Sequence, residues 1–503
     1  MSTPTNCQQW QHLAETIITE GRIRTEAFIE GEYRTAVSGE RFDCISPIDG
    51  RILCRVASCD VADANIAVSS ARAAFNSGVW SELPPVKRKQ IMLRFADLLE
   101  ANSDELALLE TLDMGKPIRY SCTVDVKGAA SALRWSGEAI DKIYDEIAPT
   151  AHNEIGMITR EPVGVVAAIV PWNFPILMAC WKLGPALATG NSVVLKPSEK
   201  SPLTAIRMAQ IAIKAGIPSG VLNVLPGLGD KVGKALALHM DVDTLVFTGS
   251  TKVAKQLMIY AGESNMKRIW LEAGGKSPNI VFNDAPDLQK AAEAAAAAIA
   301  FNQGEVCTAG SRLLVEAEVK DELLRLIIKE MEFWQPGHPL DPATTCGAVV
   351  DKQQLDTVLS YIRAGVAEGA ELVIGGDQIM AESGGMYIEP TIFSNVNNKM
   401  VIAKEEIFGP VLSVITFDGM DEAISIANDS IYGLAAGVWT ANLSKAHKMA
   451  KALRSGMVWI NHYDGGDMTA PFGGYKQSGN GRDKSLHAFD KYTEIKATWI
   501  ALD

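Results

Sequence analysis

The sequence predicts an α/β protein whose core is a parallel sheet. Short apolar runs recur between residues 163 and 272, and a segment long enough for a helix separates each run from the next. Buried parallel strands form continuous apolar runs in a sequence, and crossover helices connect them. The predicted strands cover residues 165–170, 192–196, 221–226, 244–248 and 268–272.

The length of the chain predicts more than one domain. A chain of 503 residues exceeds a single ordinary hydrophobic core, so we expect two or three domains. Ahead of the first strand, an apolar stripe from Ile91 to Leu99 predicts a helix, and residues 129–144 predict another. After residue 276 the chain has its own strand and helix signals, which indicate a second α/β domain.

One helix start is predicted in detail after the second strand. Ser201 is a residue type that caps free backbone amides, and Pro202 suits the first helical position because its missing N–H costs nothing there. The helix is expected to end near Gly216.

Polar residues and glycines follow several of the predicted strands. Lys196 and Glu199 follow the second strand, residues 227–233 follow the third, and residues 248–251 follow the fourth. The carboxyl ends of parallel strands share one edge of a sheet, so we expect a nucleotide site there. The glycines of 227–233 do not match the usual dinucleotide fingerprint, and a plain turn is the alternative for that loop.

Cys307 is the candidate nucleophile. It lies in a small and polar stretch, residues 301–310, instead of an apolar run. A working cysteine needs a base or a positive field nearby. Glu272 ends the last predicted strand beside two glycines and is the candidate base. The alternative for Cys307 is the common structural role of a small buried side chain.

The composition favours small-molecule chemistry in a reducing compartment. A net charge of −13 argues against nucleic acid and against an anionic membrane as partners. The eight cysteines show neither metal-ligand spacing nor a disulfide framework, so we expect no metal site. The first residues offer no signal segment, and the expected location is the cytoplasm. The apolar stretch 163–181 contains Pro171, Asn173 and Pro175, which argues against a transmembrane helix.

Six motifs, in this order, resemble those of the NAD(P)-dependent aldehyde dehydrogenase superfamily, and the resemblance covers nearly the whole chain. The motifs are Pro-Trp-Asn-Phe-Pro at 171–175, Leu-Lys-Pro-Ser-Glu-Lys at 195–200, Phe-Thr-Gly-Ser at 247–250, Leu-Glu-Ala-Gly-Gly-Lys at 271–276, Cys307, and Glu-Glu-Ile-Phe-Gly-Pro at 405–410.

The resemblance implies an aldehyde dehydrogenase-like architecture of three parts. A Rossmann-type cofactor domain would comprise residues 1–144 and 163–271, and an α/β catalytic domain would comprise residues 272–468. Residues 145–162 and 486–503 would form a small β element that joins subunits into dimers or tetramers.

The resemblance also implies NAD as cofactor, an aldehyde as substrate, and a role for each matched residue. Cys307 would attack the aldehyde, Asn173 would stabilise the oxyanion, and Glu272 would activate the water that hydrolyses the thioester. Lys196 belongs to the implied catalytic set as well. The implied cofactor residues are Ile169, Pro171, Trp172, Lys196, Ser198, Glu199, Gly229, Phe247, Gly249, Ser250, Glu406 and Phe408.

Within that set the resemblance implies which part of the cofactor each group binds. Lys196 and Glu199 would bind the adenosine ribose, residues 249–250 the pyrophosphate, and Glu406 with Phe408 the nicotinamide side. A carboxylate at Glu199 would repel a 2′-phosphate, so NAD should be preferred over NADP. Glu305 stands where many relatives carry glutamine, and we expect its carboxylate to point away from the thiol.

The loop 461–472 and the segment 476–485 are similar to those of bacterial dehydrogenases acting on γ-glutamyl-γ-aminobutyraldehyde and 4-guanidinobutyraldehyde. A tunnel lined by Met178, Trp181 and Phe472 would hold a methylene chain. Asp125 or Asp467 would pair with a cationic tail at its mouth, and two solvated loop aspartates are the alternative.

Three other functions remain open from sequence. A CoA-acylating aldehyde dehydrogenase passes its thioester to CoA, but the hydrolytic glutamate is usually absent from its motif, and Glu272 is present here. A broad-specificity aliphatic or betaine-type aldehyde dehydrogenase would share the same catalytic residues. A non-catalytic structural protein of the same fold would not need Cys307, Asn173 and Glu272 together.

Overall fold

A computed structural model describes residues 3–502 and contains two seven-stranded sheets. The first sheet contains all five strands predicted from the apolar runs, and these five run parallel. A hairpin from the N-terminal part of the chain extends the sheet, and its first strand pairs antiparallel with Leu222–Val224. The spatial order is Arg268–Glu272, Thr244–Thr248, Val165–Ile169, Ser192–Lys196, Leu222–Val224, Ala27–Ile29 and Glu32–Arg34.

The second sheet lies in the C-terminal half of the chain. Its strands are parallel except for the edge strand Glu371–Ile374, which pairs antiparallel with its neighbour. The α/β architecture expected after residue 276 is therefore confirmed. The spatial order is Glu371–Ile374, Thr391–Ser394, Val411–Phe417, Arg312–Glu316, Pro278–Val281, Ala435–Trp439 and Met457–Ile460.

A separate antiparallel sheet joins distant parts of the chain. The strand Thr493–Ala501 pairs along its whole length with Glu154–Pro162, which pairs on its other side with Glu146–Ala148. Two further hairpins pair Arg41–Ile45 with Ile52–Ala57, and Gln378–Ile379 with Tyr387–Ile388.

Helices flank the two large sheets. The longer ones are Cys7–Thr19, Val61–Asn76, Pro85–Ala101, Ser103–Met114, Lys127–Ala139, Pro175–Ala188, Leu203–Ala215, Thr251–Gly262, Leu288–Ala300, Lys320–Met331, Lys352–Ala367, Gly419–Asn428 and Leu443–Ala452. The shorter ones are Ile118–Tyr120, Lys234–Leu238 and Val401–Lys404, with π-helical turns at Ser121–Val126 and Gly229–Gly233 and 3₁₀ segments at Phe301–Gly304, Ala317–Val319, Ala381–Ser383, Lys476–Ser478 and Leu486–Tyr492.

The helix predicted after Ser201 has a different cap from the expected one. The Ser201 hydroxyl donates to the Trp172 carbonyl at 3.2 Å and does not cap the helix. Instead Asp113, from another helix, accepts from the Leu203 N–H at 3.0 Å. The C-terminal prediction is confirmed, because Gly216 ends the helix with φ of 107°.

The apolar stretch 163–181 is divided between a strand and a helix. Its first part forms Val165–Ile169, and the loop with Asn173 leads into Pro175–Ala188. No helix within residues 3–502 is both long enough and apolar enough to cross a membrane.

Candidate active site

A cavity of about 450 Å³ lies where loops of the two large sheets meet. Asn173, Glu272 and Cys307, which are far apart in sequence, all line it. The other predicted site residues that line it are Pro171, Trp172, Met178, Trp181, Gly249, Ser250, Glu406, Phe408 and Phe472.

A strained turn positions Cys307. The helix Leu288–Ala300 ends in a turn where Asn302 and Gln303 adopt positive φ of 49° and 56°. Such a conformation is unfavourable for residues other than glycine, so the surroundings must hold it. The Asn302 side chain donates to the Asn173 carbonyl at 3.1 Å, and Gln303 accepts from the Gly347 N–H at 2.8 Å. The turn is thereby fixed to the loop that carries Asn173.

The environment of Cys307 raises the pKa of its thiol. Burial raises the pKa of the thiol above its ordinary value, and nearby carboxyl groups, Glu406 foremost, raise it further. The N–H of Thr308 acts in the opposite direction. The thiol therefore needs a proton acceptor before it can attack a substrate.

Asn173 and the backbone at Cys307 are the hydrogen-bond donors at this end of the cavity. The Asn173 amide donates to the Glu305 carbonyl at 2.8 Å, and an amide nitrogen carries a second hydrogen. The Cys307 N–H donates to no acceptor within residues 3–502. Two donors are thus available for an oxygen bound next to the thiol.

Glu272 is buried and unpaired. Neither of its carboxylate oxygens has a hydrogen-bond partner in the described part of the chain. Gly473 and Gly481 pack against the side chain, and a Cβ on either would lie within 2.9 Å of the carboxylate. Burial raises the pKa of Glu272 well above its usual range, and Asp483 raises it further, whereas Lys182 lowers it.

A buried group of charges next to Glu272 was missed by the sequence analysis. Asp483 forms ion pairs with Lys182 and with Lys491, and all three side chains are almost completely buried. One sequence signal existed, because Lys182 is the single charged residue in the otherwise apolar helix Pro175–Ala188.

The predicted ribose-binding residues lie at the carboxyl edge of the first sheet. The Lys196 ammonium contacts the Glu199 carboxylate at 2.9 Å. Ile169 pairs in register with Lys196 on one side and Phe247 on the other, so the three strand ends are level. The residues of the predicted cofactor set that do not line the cavity itself are Ile169, Lys196, Ser198, Glu199, Gly229 and Phe247.

The strand Thr244–Thr248 leads into the helix Thr251–Gly262, whose N-terminus faces the cavity. Ser250 caps this helix by accepting from the Val253 N–H at 3.3 Å. A Cβ on Gly249 would lie 2.5 Å from the Phe247 ring, so only glycine fits there. Free amides at a helix N-terminus favour an anionic group such as a pyrophosphate.

Glu406 and Phe408 lie at the opposite end of the predicted cofactor path. Glu406 accepts from the Gly275 N–H at 2.9 Å, and burial raises its pKa to about 7. Phe408 has a φ of 56° and packs edge-on against Trp172, with ring centroids 5.1 Å apart.

The three residues of the predicted apolar tunnel line the cavity, but the two predicted charged residues do not. Trp181 and Phe472 pack edge to face with ring centroids 5.0 Å apart, and Met178 lies one helical turn before Trp181. The prediction for Asp125 is wrong, because the side chain is fully buried in an ion pair with Lys116 at 2.6 Å. Asp467 is exposed, bonds to the Thr469 N–H at 2.8 Å and does not line the cavity.

Two charged residues that line the tunnel were not predicted. The Lys484 ammonium lies 4.6 Å from the centroid of the Trp181 ring. Asp464 accepts from the Thr308 hydroxyl at 3.2 Å. Both lie in segments that the sequence analysis singled out, 461–472 and 476–485, but nothing in those segments marked these two residues. Glu305 points away from the cavity as expected, because its carboxylate accepts from the Val350 N–H at 3.0 Å.

The chain is similar to known proteins over nearly its whole length. The model of the aldehyde dehydrogenase family matches residues 33–498. The NADP/NAD-dependent aldehyde dehydrogenase PuuC of Escherichia coli K12 is 55% identical over 98% of this chain and 98% of its own. A solved indole-3-acetaldehyde dehydrogenase in complex with NAD⁺ is 72% identical, with a TM-score of 0.98 over 99% of this chain and all of the other. The γ-glutamyl-γ-aminobutyraldehyde dehydrogenase of Burkholderia cenocepacia J2315 is 59% identical, with a TM-score of 0.97 over the same shares.

Proposed function

Because the chain belongs to the aldehyde dehydrogenase family, we propose that it oxidises an amino-aldehyde to the carboxylate with NAD as hydride acceptor. The observation that carries the proposal is the convergence of Cys307, Asn173 and Glu272 on one cavity. These are the nucleophile, the oxyanion donor and the base that thioester chemistry needs.

In the first step the Cys307 sulfur attacks the aldehyde carbon. The negative charge that develops on the oxygen is stabilised by the Asn173 amide and the Cys307 N–H, neither of which is fully used within the described residues. Loss of one such donor typically costs about 3 to 4 kcal/mol of transition-state stabilisation. The thiol proton must leave during attack, and the carboxylate of Glu406, which lies near the thiol, is the proposed acceptor.

In the second step the acyl group leaves the enzyme by hydrolysis. Glu272 accepts a proton from the attacking water, and its raised pKa makes it a stronger base than an exposed carboxylate. Lys182 and Lys491 oppose the effect of burial and so favour the ionised form of Glu272.

The residues at the carboxyl edge of the first sheet fit a dinucleotide. The capped helix behind Ser250 supplies free amides for the pyrophosphate, and Gly249 leaves room for its approach. Lys196 and Glu199 would bind the adenosine ribose, and Glu406 with Phe408 would border the nicotinamide. NAD, when bound, accepts the hydride. The carboxylate of Glu199 supports a preference for NAD over NADP.

Two relatives support two substrate classes. An amino-aldehyde is supported by the similarity to the Burkholderia γ-glutamyl-γ-aminobutyraldehyde dehydrogenase and by the charged residues of the tunnel. An arylacetaldehyde is the second candidate, because a relative named for indole-3-acetaldehyde is 72% identical and the tunnel wall carries aromatic rings.

We also propose that the protein acts as a homo-oligomer in the cytoplasm. The strand Thr493–Ala501 forms an exposed sheet edge, which supports assembly. The cysteines of the described chain are free thiols, which supports a reducing compartment.

The decisive experiment follows NADH formation with a panel of aldehydes, with and without CoA. We expect turnover without CoA, higher efficiency with NAD than with NADP, and loss of turnover in Cys307→Ala with NAD binding retained. A requirement for CoA would indicate the acylating class. Absence of NADH with every aldehyde would indicate a non-catalytic protein and overturn the proposal.

A further inference from the structure

Lys484 places a cation in the wall of the aldehyde tunnel. Its ammonium lies 4.6 Å from the centroid of the Trp181 ring and 5.7 Å from that of Phe472, the two aromatic residues of the tunnel. The side chain is half-buried, and it forms no ion pair within 4.0 Å among residues 3–502. Aromatic faces stabilise the partly desolvated ammonium, and Asp464 acts on it as a nearby negative charge without forming a direct ion pair.

The cavity also contains a carboxylate, Asp464, that forms no direct ion pair in the described chain; burial raises its pKa, and Lys484 acts in the opposite direction. Asp464 lines the cavity, and its recorded side-chain bond is with the neutral Thr308 hydroxyl at 3.2 Å. The adjacent Tyr463 hydroxyl donates to the Thr308 carbonyl at 2.7 Å, which fixes the segment against the chain beside Cys307. Lys484 and Asp464 therefore line the same cavity.

Both residues have an unusual backbone conformation. Asp464 and Lys484 have φ of 55° and 57°, values that residues other than glycine rarely adopt. The segment before Lys484 is held by two reciprocal backbone bonds of 2.7 Å between Phe472 and Asp483. Strained residues at a cavity indicate that their placement matters for binding.

We propose that Lys484 and Asp464 form a subsite for an aldehyde whose far end carries both a carboxylate and an ammonium, as an α-amino acid group does. The inference rests on the proposed function, because the subsite lies in the proposed aldehyde tunnel. Lys484 binds the carboxylate and Asp464 binds the ammonium. A purely cationic tail meets Lys484 as a like charge, and an uncharged tail leaves both groups unpaired.

The test compares four aldehydes that differ in the charge of their tails. They are γ-glutamyl-γ-aminobutyraldehyde (both charges), 4-guanidinobutyraldehyde (cationic), 6-oxohexanoate (anionic) and hexanal (neutral). We expect the highest kcat/KM for the first. In Lys484→Met and in Asp464→Asn, the ratio of kcat/KM for the first aldehyde to that for hexanal should fall by about tenfold. Lys484→Arg should retain most of the ratio, and the exposed Lys448→Met is the matched control for loss of one charge.

A binding measurement separates this subsite from the proposed reaction. Calorimetry with the carboxylic acid product of γ-glutamyl-γ-aminobutyraldehyde reports the subsite without turnover, and Lys484→Met should weaken that binding by a similar factor. The subsite would be overturned if Lys484→Met changed kcat/KM equally for all four aldehydes. It would also be overturned if Asp464→Asn changed kcat/KM equally for 6-oxohexanoate and for γ-glutamyl-γ-aminobutyraldehyde. Either result would leave the proposed dehydrogenase reaction in place. Binding that depends on Lys484 without NADH formation would overturn only the proposed reaction.

Discussion

The basicity of Glu272 comes from its surroundings and not from a hydrogen-bonded partner. Burial raises its pKa, and its oxygens accept no bond within residues 3–502. The neighbouring ammonium groups of Lys182 and Lys491 act against burial. A carboxylate with a raised pKa is a stronger base than an exposed one, as a general base should be.

Replacing Glu272 by Gln should separate the two halves of the reaction. Attack by Cys307 and hydride transfer do not need the Glu272 base in the proposed mechanism, whereas hydrolysis does. Stopped-flow measurement should show a rapid burst of NADH, followed by a steady state slower by about 100-fold or more. A variant with fast acylation and no burst would remove Glu272 from the hydrolytic step.

The pH dependence of turnover should depend on Lys182. The positive charge of Lys182 lowers the pKa of Glu272, so its removal in Lys182→Met raises that pKa further. Hydrolysis requires ionised Glu272, and the acid limb of the kcat profile should therefore move to higher pH. Lys182→Arg keeps the charge and serves as the control. A profile that stays in place in Lys182→Met would show that Lys182 does not set the ionisation of the base.

The residues that sequence reasoning found differ in kind from those it missed. Cys307, Glu272 and Asn173 are marked by short motifs, and each motif carries its residue to the end of a strand or helix. Asp125 was misassigned because its partner Lys116 lies across a packing contact that no motif marks. For the same reason Lys484 and Asp464 are recognised only when the tunnel is assembled.

At the scale of elements, the turn at Phe301–Gly304 determines where Cys307 lies. Gly304 has φ of 71°, and a Cβ there would lie 2.3 Å from the backbone of Gly409. That neighbour is backbone and not a flexible side chain, so the turn must shift if a methyl group is added.

Gly304→Ala should therefore displace Cys307 and destabilise the protein. We expect a loss of about 2 kcal/mol or more, seen as a lower thermal midpoint, together with slower alkylation of Cys307 and lower kcat. Gly262→Ala is the matched control, because a Cβ there meets nothing within 4 Å. Unchanged activity and stability in Gly304→Ala would show that the turn adapts and does not position the nucleophile.

Four parallel strands of the first sheet were predictable from sequence because each is almost completely buried and forms a continuous apolar run. These four and the partly exposed Arg268–Glu272 were predicted within two residues of their observed bounds. The cap of the helix Leu203–Ala215 was not, because its capping carboxylate, Asp113, comes from a helix 90 positions earlier. Local sequence preference predicted the helix Leu203–Ala215, whereas a tertiary contact supplies the cap at its N-terminus.

At the scale of the whole molecule, the antiparallel sheet of the C-terminal tail has an open edge. Thr493–Ala501 is the outer strand, nine residues long, and bonds to Glu154–Pro162 on one side only. Ile495 and Trp499 on this strand are 66% and 65% exposed. A long edge with exposed apolar side chains is a surface for pairing with another chain, and a second copy of the same chain is the simplest partner.

Charges on that edge should therefore dissociate the assembly. We expect the parent to be a dimer or tetramer by light scattering after size-exclusion chromatography, and the Ile495→Lys, Trp499→Lys double variant to shift toward the monomer mass of 54.1 kDa. Lysines on an open edge oppose strand pairing through repulsion and desolvation. Met266→Lys is the control, because Met266 is 84% exposed and lies outside this sheet.

The helical turn Leu486–Tyr492, which holds Lys491 beside Glu272, immediately precedes the strand, so dissociation should also lower kcat. A monomeric parent, or a double variant of unchanged mass, would show that this edge does not join subunits.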